Sequence, residues 1–233
     1  MIAAERRELV SIGTGGIPME GMLVLPANAL GMVLFAHGSG SSRHSPRNNF
    51  VAAELHKAAL GTLLLDLLSP AEDLDRANRF DIDLLSERLT AAADWLAEYA
   101  ATRALPLGVF GASTGAAAAL VLAATRPVEA VVSRGGRPDL AGAGALAAVS
   151  APTLLLVGAL DTDVISLNRW AQAQLQCSSR LDIIPGASHL FEEPGRLPIV
   201  AQHALDWFAF YLPKRLPPPS AHPSSPAAGP ASD

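Results

Sequence analysis

Leu107-Gly-Val-Phe-Gly111-Ala-Ser113-Thr-Gly115-Ala-Ala-Ala-Ala-Leu120 is the stretch on which the fold turns. Leu107–Phe110 reads as a buried strand, and Thr114–Thr125 is almost wholly apolar, as expected of a central buried helix. Between them Gly111-Ala-Ser-Thr-Gly115 fits the pattern G-x-S-x-G. The pattern alone is weak; its place between a strand and a helix gives it weight. A serine on such a sharp strand-to-helix turn is held in a strained backbone conformation and needs small neighbours. The helix beneath it offers free N–H groups and the positive end of its dipole, which favour developing negative charge.

Working outward, further strand candidates are Met32–Ala36, Thr62–Asp66, Ala130–Ser133, Thr153–Val157 and Leu181–Ile184. Most are continuous apolar runs, the pattern of parallel strands covered on both faces. Glu8–Ile12 and Gly21–Leu25 flank a Gly-Thr-Gly-Gly turn and predict an antiparallel hairpin at the sheet edge. Helical stretches lie between the strands: Asn48–Ala59, Ile82–Tyr99, Ile165–Gln176 and Pro198–Leu212. Leu84, Leu85, Leu89, Ala92, Trp95 and Leu96 share one face of the second. This alternation predicts an α/β fold with a doubly wound, mostly parallel sheet and helices on both faces.

Composition agrees with one packed domain over residues 1–212. Half of the 233 residues are apolar and 17% are charged. Pro213–Asp233 differs, holding seven of the chain's 18 prolines and no periodicity, and is expected to be a disordered tail. No insertion is long enough for a large lid domain. The formal net charge of −5 argues against nucleic acid and anionic membranes as partners. A charged N-terminus, a single cysteine, Cys177, and no long apolar run point to a cytoplasmic protein. No H-x-x-x-H or C-x-x-C pair suggests a metal.

Serine is a weak nucleophile at neutral pH and needs a base within hydrogen-bond reach. His189, in Gly186-Ala-Ser-His189-Leu-Phe, follows the last predicted strand and lies at the same carboxyl end of the sheet as Ser113. His56 and His203 fall within helices, and His222 lies in the tail. An orienting carboxylate comes from Gly158-Ala-Leu-Asp161-Thr-Asp163-Val, where Asp161 is the first choice and Asp163 the competitor. A tetrahedral oxyanion needs two donors. One is the backbone N–H of Thr114. The other is assigned to Ser39, in the loop His37-Gly-Ser-Gly-Ser-Ser42.

These segments, taken in order with the hairpin at the start, resemble the α/β-hydrolase superfamily, and within it the dienelactone hydrolase-like branch, over residues 5–212. The resemblance implies an eight-stranded sheet, hydrolysis of carboxylic esters or related acyl groups, and no cofactor. The order Ser113, Asp161, His189 is the one expected for that fold. One position departs: dienelactone hydrolases use a cysteine nucleophile where this chain has Ser113, which argues against dienelactone itself as substrate.

The expected substrate is a small-molecule ester, short in its acyl part because no large lid is present. The segment Leu67–Arg79 is the loop placed to cover the pocket. Arg43, Arg134 and Arg137 leave the carboxyl end of the sheet and are candidates to clamp an anionic group on the substrate. Acyl transfer, perhydrolysis or amide cleavage would use the same triad, and a binding module retaining only the fold is the reading from another class. The sequence leaves the oligomeric state open.

Overall fold

A computed structural model describes residues 5–14 and 17–212; the tail expected beyond Leu212 and part of the hairpin turn lie outside them. Eight strands form one sheet: β1 (Arg6–Thr14), β2 (Ile17–Leu25), β3 (Gly31–Ala36), β4 (Leu60–Leu65), β5 (Leu107–Ala112), β6 (Ala130–Arg134), β7 (Thr153–Gly158) and β8 (Ser179–Ile184). Their spatial order is β1-β2-β4-β3-β5-β6-β7-β8. The β1–β2 hairpin is antiparallel and joins β4 antiparallel, while every pairing from β4 to β8 is parallel.

The apolar runs follow from burial on both faces. In β3, Met32, Leu34 and Ala36 enter one core while Val33 and Phe35 enter the other. Six helices cover the sheet: α1 (Pro46–Lys57), α2 (Ile82–Glu98), α3 (Thr114–Thr125), α4 (Gly142–Ala148), α5 (Thr162–Gln174) and α6 (Arg196–Tyr211). Helices α2, α3 and α4 cover the first core, with Leu85, Leu89, Leu120 and Leu146 buried in it. Helices α1 and α6 cover the second through Val51, Leu55, Val200 and Phe208. Helix α3 packs tightly onto the sheet. A Cβ at Gly111 would strike the backbone of Ala116, and one at Gly115 would strike the carbonyls of Ala36 and His37. Both glycines are therefore required by contact, and they draw the loop after β3 against the loop after β5.

Several expected bounds are revised: β2 starts at Ile17 rather than Gly21, and α5 spans Thr162–Gln174 rather than Ile165–Gln176. Helix α1 starts at Pro46, two residues before the expected Asn48, because Ser45 caps it by accepting from the Asn48 N–H at 3.3 Å. Helix α4 was not expected at all. Its Gly-Ala-Gly-Ala-Leu-Ala-Ala sequence has only Leu146 buried, so it carries no periodic contrast. The loop after β4 holds two short 3₁₀ turns, Glu72–Leu74 and Asn78–Phe80. No described helix is long and apolar enough to cross a membrane.

Candidate active site

Strand β5 ends at Ala112 and α3 begins at Thr114, so Ser113 alone makes the turn. Its backbone is left-handed, with φ 51° and ψ −121°. For a residue with a Cβ this conformation costs about 1–3 kcal/mol and persists only when its surroundings enforce it. Here they do. The Ser113 N–H donates to the Arg134 carbonyl at 3.2 Å, and the Ser113 carbonyl accepts from the N–H groups of Arg137 at 3.0 Å and Ala116 at 3.1 Å. The serine is thereby stitched to the loop that follows β6.

Asp161 and His189 are brought together from two neighbouring strand ends. His189 Nδ1 and Asp161 Oδ2 lie 2.6 Å apart. A carboxylate only accepts, so Nδ1 carries the proton and Nε2 is left with a free lone pair. The two loops are fixed to each other through backbone bonds: Ala159 N–H to the Ile184 carbonyl at 2.9 Å, and Leu160 N–H to the Ala187 carbonyl at 3.0 Å. Gly158 permits this, since a Cβ there would strike the Ala187 and Ser188 carbonyls. Asp163, the competitor, is exposed in the first turn of α5 and makes no bond to His189. His189 also lies over the β6 loop: a Cβ on Gly135 would stand 3.6 Å from its Cε1. Serine, histidine and aspartate thus share one end of the sheet.

Thr114 and Ser39 face one small recess, which is also lined by His37, Gly38, Gly40, Leu68, Leu85, Asp73 and Arg79. Leu68, Asp73 and Arg79 come from the loop after β4, which therefore reaches the site. Arg79 is held there by an ion pair with Asp73 at 2.9 Å.

The arginines divide. Arg43 is spent on carboxylates inside the protein: it pairs with Asp66 and, at 2.6 Å, with Glu20. It ties the loop after β3 to β2 and to the end of β4, a structural contact between residues far apart in sequence. Arg137 grips Asp139 through two bonds of 2.9 and 2.8 Å, and this partner raises its pKa. Arg134, by contrast, is buried at 7% exposure, and among the described residues no carboxylate pairs with it.

Three residues with positioning contacts escaped the sequence reading. His37 is buried; its Nε2 accepts from the Leu67 N–H at 3.0 Å, which leaves Nδ1 to donate to the Gly38 carbonyl at 2.9 Å. Burial pushes its pKa below the ordinary imidazole value. Asn168 donates to the Gly136 carbonyl at 3.0 Å, steadying the turn beside Ser113. Glu193 accepts from the Ser188 N–H at 3.0 Å, clasping the histidine loop, and that bond lowers the pKa of its carboxyl. Their adjacency to the motifs was visible in the sequence, but the partners were not. Among the described residues no group of three or more His, Cys, Asp or Glu is arranged to hold a metal ion.

Comparison with known proteins agrees with this fold. The alpha/beta hydrolase domain family matches residues 29–209. A dienelactone hydrolase of known structure from Anabaena variabilis is 57% identical, covers 90% of this chain and 99% of its own, and superposes with a TM-score of 0.87. A Bradyrhizobium protein named as a 2-oxo-3-(5-oxofuran-2-ylidene)propanoate lactonase is 31% identical over 187 residues, 70% of this chain and 75% of that one. Proteins from two Mycobacterium tuberculosis strains, provisionally named phosphoribosyl transferases, are 54% identical over 209 residues. That match covers 89% of this chain and 47% of theirs, so the chain spans about half the length of these relatives.

Proposed function

The chain belongs to the α/β-hydrolase family, in its dienelactone hydrolase-like branch, and from that premise we propose that it is a serine hydrolase cleaving small carboxylic esters or lactones through an acyl-enzyme on Ser113. The observation that carries this reading is the strained left-handed Ser113 at the head of α3, on the same sheet end as an imidazole whose Nδ1 is held 2.6 Å from Asp161.

The chemistry follows from those groups. His189 Nε2 takes the Ser113 proton as Oγ attacks the carbonyl, and Asp161 stabilises the imidazolium that forms. The oxyanion is received by the backbone N–H groups of Thr114 and Ser39, aided by the dipole of α3. The protonated imidazole then gives its proton to the leaving alkoxide. Water, activated by the same imidazole, releases the acyl group. A lactone is a cyclic ester and passes through the same steps, and the lactonase name of the Bradyrhizobium relative is consistent with that class. The phosphoribosyl transferase name belongs to relatives about twice as long as this chain and is not carried over.

Steady-state hydrolysis of 4-nitrophenyl acetate and butyrate tests the reading. Ser113→Ala is expected to lower kcat/KM by about 10⁴-fold or more while the protein remains folded. Near-normal turnover by that variant would remove Ser113 from the mechanism.

A further inference from the structure

At the amino end of the sheet, opposite the end that carries Ser113, lies a cavity of about 310 Å³. Its walls are apolar: Met32 and Leu107 near the starts of β3 and β5, Leu96 and Ala97 in the last turn of α2, and Pro106 from the loop between α2 and β5. The charged residues that line it, Asp94, Arg103, Arg126 and Glu129, are all exposed, so the charges stand at its rim. Asp94 and Arg126 pair with each other at 3.1 Å. The Glu129 carboxylate has no side-chain partner among the described residues.

The described chain stops beside this cavity. A Cβ on Gly31 would stand 3.2 Å from Leu212 Cδ1 and 3.4 Å from Pro106 Cγ, so Leu212 and Pro106 flank the same glycine. Pro106 is also a wall of the cavity, and its carbonyl accepts from the Met32 N–H at 2.8 Å. The chain beyond Leu212 therefore sets out from the lip of the cavity, on the second-core side of the sheet.

The residues that follow are Pro213-Lys-Arg-Leu216-Pro-Pro-Pro219. Leu216 is the only large apolar residue from Pro213 to Asp233. A proline-rich chain spans about 3.1 Å per residue, so four residues reach about 12 Å, enough to pass Pro106 and cross one packed layer. Three successive prolines after Leu216 favour an extended chain, which lowers the entropy lost when it is held. Lys214 and Arg215 are cations within reach of a rim whose Glu129 is unpaired. Burying a leucine outweighs an exposed ion pair several-fold, so Leu216 sets the affinity and the basic pair the register.

We propose that this cavity is the docking site of the chain's own segment Pro213–Pro219, with the Leu216 side chain inserted against Leu96 and Met32 and the basic pair facing Glu129. The segment then straps α6, which covers the second core, to α2, which covers the first. The inference stands apart from the chemistry at the carboxyl end of the sheet.

Thiol labelling of the full chain tests it, in a Cys177→Ser background that carries Ala97→Cys in the cavity wall. With Leu216 present, Ala97→Cys is expected to react with fluorescein maleimide at least about fivefold more slowly than with Leu216→Ser. Ala104→Cys, exposed and outside the cavity, should label alike in both. Equal rates at Ala97→Cys would overturn the proposal. Protection that disappears on dilution would overturn it too, because the occupant would then be a second copy's segment. Melting gives an independent readout. Leu216→Ser is expected to lower the melting temperature by about 2–4 °C. In Ala97→Trp, where the indole fills the cavity, the same substitution should have no effect. An equal fall in both backgrounds, or no fall in either, would overturn docking at this site.

Discussion

The chemistry rests on a few residues placed by contact. Asp161 and Asp163 stand two positions apart in one loop, and residue type does not separate them. Only the 2.6 Å approach of Asp161 to His189 does. Asp161→Asn would offer a donor where Nδ1–H needs an acceptor and select the wrong imidazole tautomer. Its kcat is expected to fall about 10³–10⁴-fold. Asp163→Asn, on the exposed first turn of α5, is expected to stay within about threefold of wild type. Steady-state ester kinetics on the two variants, side by side, check both. Residue identity also concealed what the arginines do. In Ser133-Arg-Gly-Gly-Arg137 both arginines look like surface residues, yet one is half-covered on a carboxylate and the other is buried with none on it among the described residues. Burial of a charge depends on which strands flank it, and that is decided by sheet order.

At the scale of elements, the loop after β3 is joined to the exit of β4 by His37, whose ring bridges Leu67 and Gly38 as a neutral imidazole. Its pKa is lowered by burial, and that of His56, bonded to Thr62 at 2.8 Å, is lowered for the same reason. In both cases the unfolded chain binds a proton more readily than the folded one. Their contribution is therefore complete above the ordinary imidazole pKa of 6.5 and is lost as pH falls through the lower folded values. Urea midpoints measured from pH 8 to pH 5 are expected to decline below about pH 6.5, and less steeply in His37→Gln, which keeps an acceptor for the Leu67 N–H. A flat profile in wild type would contradict this. Elements with strong contrast were legible in the sequence: Thr114–Thr125 stands with the same bounds in the structure, and Ile82–Glu98 ends one residue early. Helix α4 was not, because alternating alanine and glycine give a single buried leucine and no apolar stripe. The start of α1 was displaced because its first turn, Pro-Arg-Asn-Asn, is polar and is set by the Ser45 cap.

Across the whole molecule, the sheet divides two cores and presents the carboxyl ends of β3, β5, β6, β7 and β8 to one site. Ile12 belongs to the first core and Ile184 to the second, at opposite edges of the sheet. Ile12→Val and Ile184→Val are each expected to cost about 0.5–1.5 kcal/mol. Chemical denaturation of the double variant should give their sum to within about 0.5 kcal/mol. A large interaction energy would mean that the two cores are coupled through the sheet. The architecture as a whole could be read from continuous apolar strands alternating with helices. The way the loops are sewn together could not, since Gly158 against Ala187 or Arg43 against Glu20 joins residues that only the finished fold makes neighbours.

The central claim is that Ser113 is an activated nucleophile. Intact-mass analysis after incubation with a fluorophosphonate probe tests it most directly, with wild type and Ser113→Ala run together. The account predicts one adduct on the wild type and none on the variant. A folded wild type that takes no adduct, or a variant that is labelled as readily, would contradict it.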